Sequence, residues 1–218
     1  MTAAVPRPRI AIIDYGIGNL PSARKAFEAA GGDAFITRDP FEIASADGVV
    51  LPGVGAMGRC MEALDEHRMR QPVLDAIAAG QPFFGICVGM QMLHSGSDEF
   101  GGVEGLGVFR AQVVELPPTV KRPQMQWNVV HRREGSDECE IMAGVDGGWF
   151  YFVHSFAPEP HVDVVGVCEY GTVVSAVVSR GNVCGTQFHP EKSSANGIRL
   201  LANFVSMCVR TSRSEAVG

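Results

Sequence analysis

The sequence has no C-x-x-C pair, no run of 18 apolar residues, no internal repeat and no low-complexity block. Each absence excludes a class of protein. Without an apolar stretch of bilayer length, no membrane-spanning helix is expected. Residues 1–9 lack the apolar region of a signal peptide, so the expected location is the cytoplasm. Without closely spaced pairs, Cys60, Cys87, Cys139, Cys168, Cys184 and Cys208 read as reduced thiols rather than a disulfide framework. Excess positive charge is missing too. Eighteen Lys and Arg stand against 24 Asp and Glu, a net charge of -6, which argues against a nucleic-acid groove.

What is present is globular: 46% hydrophobic and 19% charged residues in a chain of 218, enough for one domain with a sizeable core. That domain is expected to span residues 1–210, with 211–218 a loose polar tail. In the first half, short β-branched runs at residues 9–14, 33–37, 48–51 and 82–86 alternate with helical patterns. A helix entered at Pro21 has Ala23, Ala26, Phe27 and Ala30 at i, i+3, i+4 and i+7, a short one follows Pro40, and another covers residues 72–79. Strands alternating with helices imply βαβ units and a parallel sheet. After Gly96 the pattern changes. Strands at 108–116, 149–154, 162–169, 173–179 and 183–188 follow closely, and a last helix covers 194–208. The expected fold is α/β, a flavodoxin-like, largely parallel sheet flanked by helices, with an additional antiparallel strand region in the C-terminal half.

Two motifs carry chemistry. In Phe83-Phe84-Gly85-Ile86-Cys87-Val88-Gly89-Met90-Gln91 an apolar run ends at a cysteine with glycines two residues to either side. This is the thiol form of the G-x-S-x-G elbow, in which a sharp strand-to-helix turn lifts the nucleophile out of the sheet. Residues 88–94 read as a helix. Cys87 would then sit at a helix N-terminus, where free N–H groups favour thiolate. Alone, the same pattern also fits a buried structural cysteine in a glycine-rich turn.

The second motif is Gly185-Thr186-Gln187-Phe188-His189-Pro190-Glu191-Lys192. A thiolate needs a base, and the base needs an orienting group. Pro190 biases His189 toward an extended conformation, in which His189 and Glu191 share a face. The carboxylate could then hold one imidazole nitrogen while the other meets Cys87. His-Pro-Glu alone fits a solvated turn equally well; with the elbow it makes Cys87, His189 and Glu191 a triad candidate.

Together the motifs resemble those of the class I (triad) glutamine amidotransferases, over about residues 10–205. Asp14-Tyr15-Gly16-Ile17-Gly18-Asn19-Leu20, Leu51-Pro52-Gly53-Val54-Gly55-Ala56 and Tyr151-Phe152-Val153-His154-Ser155-Phe156 look like stretches of the glutaminase subunits of imidazole glycerol phosphate synthase. That resemblance implies hydrolysis of glutamine by Cys87, with His189 and Glu191. It also implies an oxyanion site from the Val88 N–H and the Gly53, Val54 and Gly55 segment, and substrate contacts at Gln91, Glu99, Ser155 and Phe156. Glu99 suits an α-ammonium group; otherwise it is a solvated residue of the 96–102 loop. The implied partner is a separate (β/α)₈-barrel cyclase in a heterodimer, met through Asn19, Trp127, Asn128 and Lys192. Gln124 and Gln126 stand where histidine and glycine are usual, and Phe156 where tyrosine is common.

No cofactor is expected. Gly16-Ile17-Gly18 lacks the third glycine of a dinucleotide fingerprint and reads as a tight loop near a partner surface. His94, His131, His154 and His161 lack metal-ligand spacing, and the cysteines other than Cys87 read as packing residues. The rival readings are a glutaminase for another synthase (pyridoxal phosphate or anthranilate), a stand-alone cysteine hydrolase, and a non-catalytic binding module.

Overall fold

The computed structural model describes residues 7–136 and 139–215, the last five by their backbone alone. Strand and helix alternate in the first half. β1 (Arg9–Ile13), β2 (Asp33–Thr37), β3 (Gly48–Gly53) and β4 (Phe83–Cys87) are linked by α1 (Leu20–Ala29), α2 (Pro40–Ala44), α3 (Met57–Glu66) and α4 (Arg70–Ala78). β3 and β4 are buried along their whole length, as strands of a sheet covered on both faces must be. α1 starts beside Pro21, whose fixed φ suits a first helical turn.

The second half is strand-rich. A single helical turn, α5 (Val88–Met92), leads into β5 (His94–Ser97), β6 (Val103–Glu104), β7 (Phe109–Glu115), β8 (Gln124–Arg132), β9 (Gly148–His154), β10 (Phe156–Pro158), β11 (Val164–Glu169), β12 (Val173–Arg180) and β13 (Val183–Thr186). The closing helix is α6 (Ser194–Glu215).

One nine-stranded sheet runs β2-β1-β3-β4-β13-β12-β11-β8-β9. Its first five strands are parallel and the remaining pairings antiparallel. A four-stranded sheet, β10-β7-β5-β6, packs beside it. The fold is therefore the expected α/β one, and the antiparallel region is both an extension of the main sheet and a second sheet. β13 returns from the antiparallel half to lie parallel to β4, with Thr186 opposite Ile86. That pairing sets the residues after β13 beside those after β4. Phe27, Phe84 and Phe204 meet edge-on or tilted, 5.3–6.2 Å between centroids, and fix α1 and α6 against β4.

Four differences from the sequence expectations have physical causes. The helix expected over 88–94 ends at Met92, because His94–Ser97 is taken into a ladder with β6 and β7. α3 was not anticipated, although Met57, Cys60, Met61 and Leu64 fall at i, i+3, i+4 and i+7 and are all buried. β8 was missed because its mixed sequence acquires strand character from pairing with β9 over seven residues. The tail expected from residue 211 is helical to Glu215, since no glycine or proline interrupts α6 there. Residues 216–218 lie outside the described residues.

Candidate active site

β4 ends in a strained turn. Cys87 has φ 54° and ψ -114°, a conformation rarely adopted by a residue with a side chain. The flanking glycines are required by contact. A Cβ at Gly89 would lie 1.9 Å from the Leu51 carbonyl oxygen, and one at Gly85 2.7 Å from the Met90 Cα. Only hydrogen fits where β3, β4 and α5 cross. The turn directs Cys87 to the wall of a cavity of about 810 Å³ outside the carboxyl ends of the parallel strands.

His189 arrives from the other half of the molecule. Phe188 anchors it, stacked on Phe150 at 4.2 Å and edge-on to Phe152 at 5.4 Å. The His189 N–H donates to the Tyr151 carbonyl at 3.0 Å, and its own carbonyl accepts from the Ser193 hydroxyl at 2.6 Å. Ser193 also accepts from the Tyr151 N–H at 3.0 Å, so one hydroxyl ties the histidine to β9. The imidazole Nδ1 lies 2.8 Å from Glu191 Oε1, both side chains 3% exposed. With Nδ1 occupied, the ring's other nitrogen is left for Cys87, which shares the cavity wall with it. Burial alone would discharge this imidazole. The Cys87 sulfur and the Glu191 carboxylate outweigh it and push the His189 pKa up to about 10. The arrangement favours the imidazolium form of His189. Glu191 Oε2 has no partner among the described residues, leaving His189 as its carboxylate's one hydrogen-bond donor there.

Val54, Gly55, Val88, Gln91, Glu99, Ser155, Phe156 and Lys192 share the cavity wall with Cys87 and His189. A scattered set of sequence candidates thus becomes one site. It holds a thiol, an imidazole of raised pKa, helix-terminal N–H groups and room for a small polar substrate, the kinds of group acyl transfer from an amide needs.

The family model for "Glutamine amidotransferase class-I" matches residues 11–208. The chain belongs to that family. The amidotransferase is 45% identical to the "Imidazole glycerol phosphate synthase subunit HisH" of Symbiobacterium thermophilum, over 91% of this chain and 94% of that one. It is 48% identical to the protein of the same name from Thermococcus kodakarensis, covering 89% and 98%. Among solved structures it matches PurLQS from Thermotoga maritima, with TM-score 0.69 and 18% identity over 95% and 100% of the chains. It also matches the glutaminase domain of Trypanosoma brucei CTPS, at TM-score 0.64 and 15% identity over 93% and 94%. The structural matches establish the fold, and the family makes the chain a glutaminase.

Within the amidotransferase, several residues sit differently from their sequence expectations. Glu99 lines the cavity rather than lying loose, but one of its oxygens accepts from the Met57 N–H at 2.7 Å and so caps α3. The Phe156 carbonyl accepts from Gln91 Nε2 at 2.9 Å and lies 2.8 Å from His154 Nδ1, and the Ser155 carbonyl accepts from Leu116. Those two oxygens are already committed. Gly53 is not on the wall; it packs behind it against Gly89. Gln124 is fully buried beside His154, whereas Gln126 is exposed. Asn19, Trp127 and Lys192 are exposed. Asn128 departs from that set. It alternates with Trp127 to the other side of β8 and donates to the Glu169 carbonyl of β11 at 2.8 Å.

Three contributors have no counterpart among the sequence expectations. Gln187 is fully buried, its Nε2 3.8 Å from the Cys87 sulfur and its Oε1 accepting from Gln91 at 3.0 Å. Ser193 steadies the histidine. Cys60, expected only to pack, donates its thiol to the Val54 carbonyl at 3.3 Å. The position of Gln187 two residues before His189 was a signal for the first; no sequence pattern marks the other two.

Proposed function

We propose that this glutaminase is the amidotransferase subunit of imidazole glycerol phosphate synthase, hydrolysing glutamine and passing ammonia to a separate cyclase subunit in histidine biosynthesis. The observation that carries the chemistry is the His189 imidazole, held by Glu191 at 2.8 Å, on the same cavity wall as Cys87. The branch rests on identities of 45% and 48% over nearly the full length of proteins so named.

The geometry supports an ordered reaction. The Cys87 thiolate attacks the amide carbon, and the developing oxyanion meets the Val88 N–H and an N–H of the Gly53-Val54-Gly55 segment. The His189 imidazolium protonates the departing nitrogen, then as a neutral base takes a proton from the water that opens the glutamyl thioester. Glu191 fixes the ring by its Nδ1 hydrogen bond and stabilises the charged form. Gln91 and Glu99 lie where they can meet the polar ends of glutamine.

Ammonia freed into neutral water becomes ammonium, which has no lone pair, so delivery through a docked interface is required. The relatives of 45% and 48% identity, matched over 94% and 98% of their length, are named as subunits, which supports a cyclase on a second polypeptide and an amidotransferase acting as one domain of residues 1–210. Asn19, Trp127 and Lys192 offer a docking face. Trp127 is 45% exposed and packs edge-on against Tyr151, with Lys192 Nζ 5.9 Å from the Tyr151 ring. Asn128 has its amide bonded inward and is the weakest candidate. The six free thiols suit a reducing cytoplasm, and among the described residues no helix is long and apolar enough to cross a membrane.

The test uses the Cys87→Ala chain in complex with the cyclase. Glutamine should support no cyclase turnover, while ammonium salt at alkaline pH should restore it. Failure with both nitrogen sources, the complex remaining intact, would show that Cys87 does more than supply nitrogen. Glutaminase activity is also to be compared for the free chain, the complex, and the complex with the cyclase's nucleotide ligand.

A further inference from the structure

The loop from Pro52 to Gly55 is held by two side chains that sit outside the catalytic trio. Tyr15, just after β1, is fully buried, and its hydroxyl donates to the Pro52 carbonyl at 2.6 Å. Cys60, in the first turns of α3, is fully buried, and its thiol donates to the Val54 carbonyl at 3.3 Å. The two carbonyls belong to the peptide planes immediately before and after the Gly53–Val54 peptide. Two clamps therefore flank the segment that borders the cavity at Val54 and Gly55.

We propose that Tyr15 and Cys60 are positioning residues for glutamine hydrolysis, which draw the Pro52 and Val54 carbonyls inward and thereby aim the loop's N–H groups at the oxyanion. The proposal rests on Cys87 being the nucleophile. In a trans peptide the C=O and N–H point to opposite sides. Holding the Pro52 carbonyl against Tyr15 turns the Gly53 N–H away from Tyr15. Holding the Val54 carbonyl against Cys60 turns the Gly55 N–H away from the core beneath α3. The Val54 N–H lies between two planes that can no longer rotate freely.

The donor assignment leaves little choice. A phenol and a thiol each carry one hydrogen, and a carbonyl oxygen can only accept. Burial pushes both groups' pKa upward, most strongly for Tyr15, so each keeps its hydrogen throughout the working pH range. The two groups also influence one another electrostatically, so the clamps are neighbours. Tyr15 has a further contact, 3.8 Å to the Met92 sulfur, and this ties it to the end of α5.

Loss of a direct oxyanion donor lowers the rate by about 10²–10³, and misaiming one should do less. For the full chain assayed with its cyclase partner, Tyr15→Phe should lower kcat about 10- to 100-fold with KM for glutamine within about twofold. Cys60→Ala should lower kcat about three- to tenfold, and Cys60→Ser, which keeps a donor, should remain within about twofold of wild type. A second readout separates aim from general damage. Alkylation of Cys87 by iodoacetamide displaces iodide from an alkyl carbon and builds no oxyanion, so its rate should be unchanged in all three variants.

Wild-type kcat in both Tyr15→Phe and Cys60→Ala would overturn the proposal. So would hydrolysis and alkylation falling together, or Cys60→Ser failing as badly as Cys60→Ala. If Tyr15→Phe does not fold, the Cys60 pair still decides the outcome. Cys87→Ala runs beside them as a control: hydrolysis by that variant would refute the nucleophile itself, whatever the clamps do.

Discussion

The parallel and antiparallel halves of this molecule contribute opposite partners to the proposed reaction. β1 to β4 with their helices supply Cys87 and the N–H groups around it. The strands after α5 return a single segment, β13, into the parallel sheet and with it His189 and Glu191. The halves also differ in how they are held. The elbow is fixed by backbone contact so close that only glycine fits at Gly85 and Gly89. The histidine is fixed by side chains, with Phe188 under two aromatic rings and Ser193 bridging to β9. A nucleophile that must stand in a strained turn needs sterics, while a base that must keep one tautomer needs hydrogen bonds.

Breaking either half at its reacting atom should have the largest effect. Cys87→Ala and His189→Ala should each reduce glutamine turnover by about 10⁴-fold or more, and the double variant little further, because the two act as a unit. Ammonia release measured for the three proteins checks this; clearly additive losses would separate the pair. Removal of the orienter should be milder. Glu191→Ala should leave a remnant, slower than wild type by about 10²–10⁴. Turnover equal to wild type would remove the 2.8 Å bond between Glu191 and His189 from the mechanism.

Stability gives a finer contrast. Gly89→Ala should destabilise the chain by about 3 kcal/mol, because its Cβ meets the Leu51 carbonyl with no room to move. Gly181, in the turn between β12 and β13, has φ 59° and nothing within 4 Å. Gly181→Ala should therefore lose about 1 kcal/mol, the conformational penalty alone. Urea denaturation of the two variants measures the difference, and equal losses would mean the elbow can relax.

Acid sensitivity should belong to the second half. His94 on β5 and His154 on β9 are buried and pulled down to pKa values of about 4, chiefly by desolvation. An unfolded histidine takes its proton near 6.5. Between those values the unfolded chain binds the extra proton, so stability is fully present above pH 6.5 and is lost as pH falls toward 4. From pH 7 to pH 5 this should remove about 2 kcal/mol per histidine. His94→Gln should flatten the urea-midpoint profile by its own share; an unaltered profile would mean His94 is not the group that titrates.

The contrast between the halves also explains what could be seen in advance. β1, β3 and β4 are nearly continuous apolar runs, because a strand buried on both faces must be, and a run bounded by glycine or proline is visible without neighbours. β8 is the opposite case. Gln124, Gln126, Trp127 and Asn128 carry no strong strand pattern, and they lie in a strand because β9 pairs with them. His94 is the reverse case: the local helical pattern of residues 88–94 includes it, and the ladder with β7 overrules that pattern.

At the site, sequence alone picked out the groups proposed to react. A cysteine between two spaced glycines after an apolar run, and a histidine and glutamate around a proline, are chemical requirements written in short segments, since strain, tautomer and face are set locally. Only the tertiary structure decided that β13 lies parallel to β4, so that residues a hundred positions apart share one wall. Only it revealed that Gln187 reaches the Cys87 sulfur, that Ser193 braces His189, and that Tyr15 and Cys60 hold Pro52 and Val54. Each of those contacts uses an ordinary side chain whose role depends on which carbonyl or sulfur the fold brings within hydrogen-bond distance, and a linear pattern does not encode that distance.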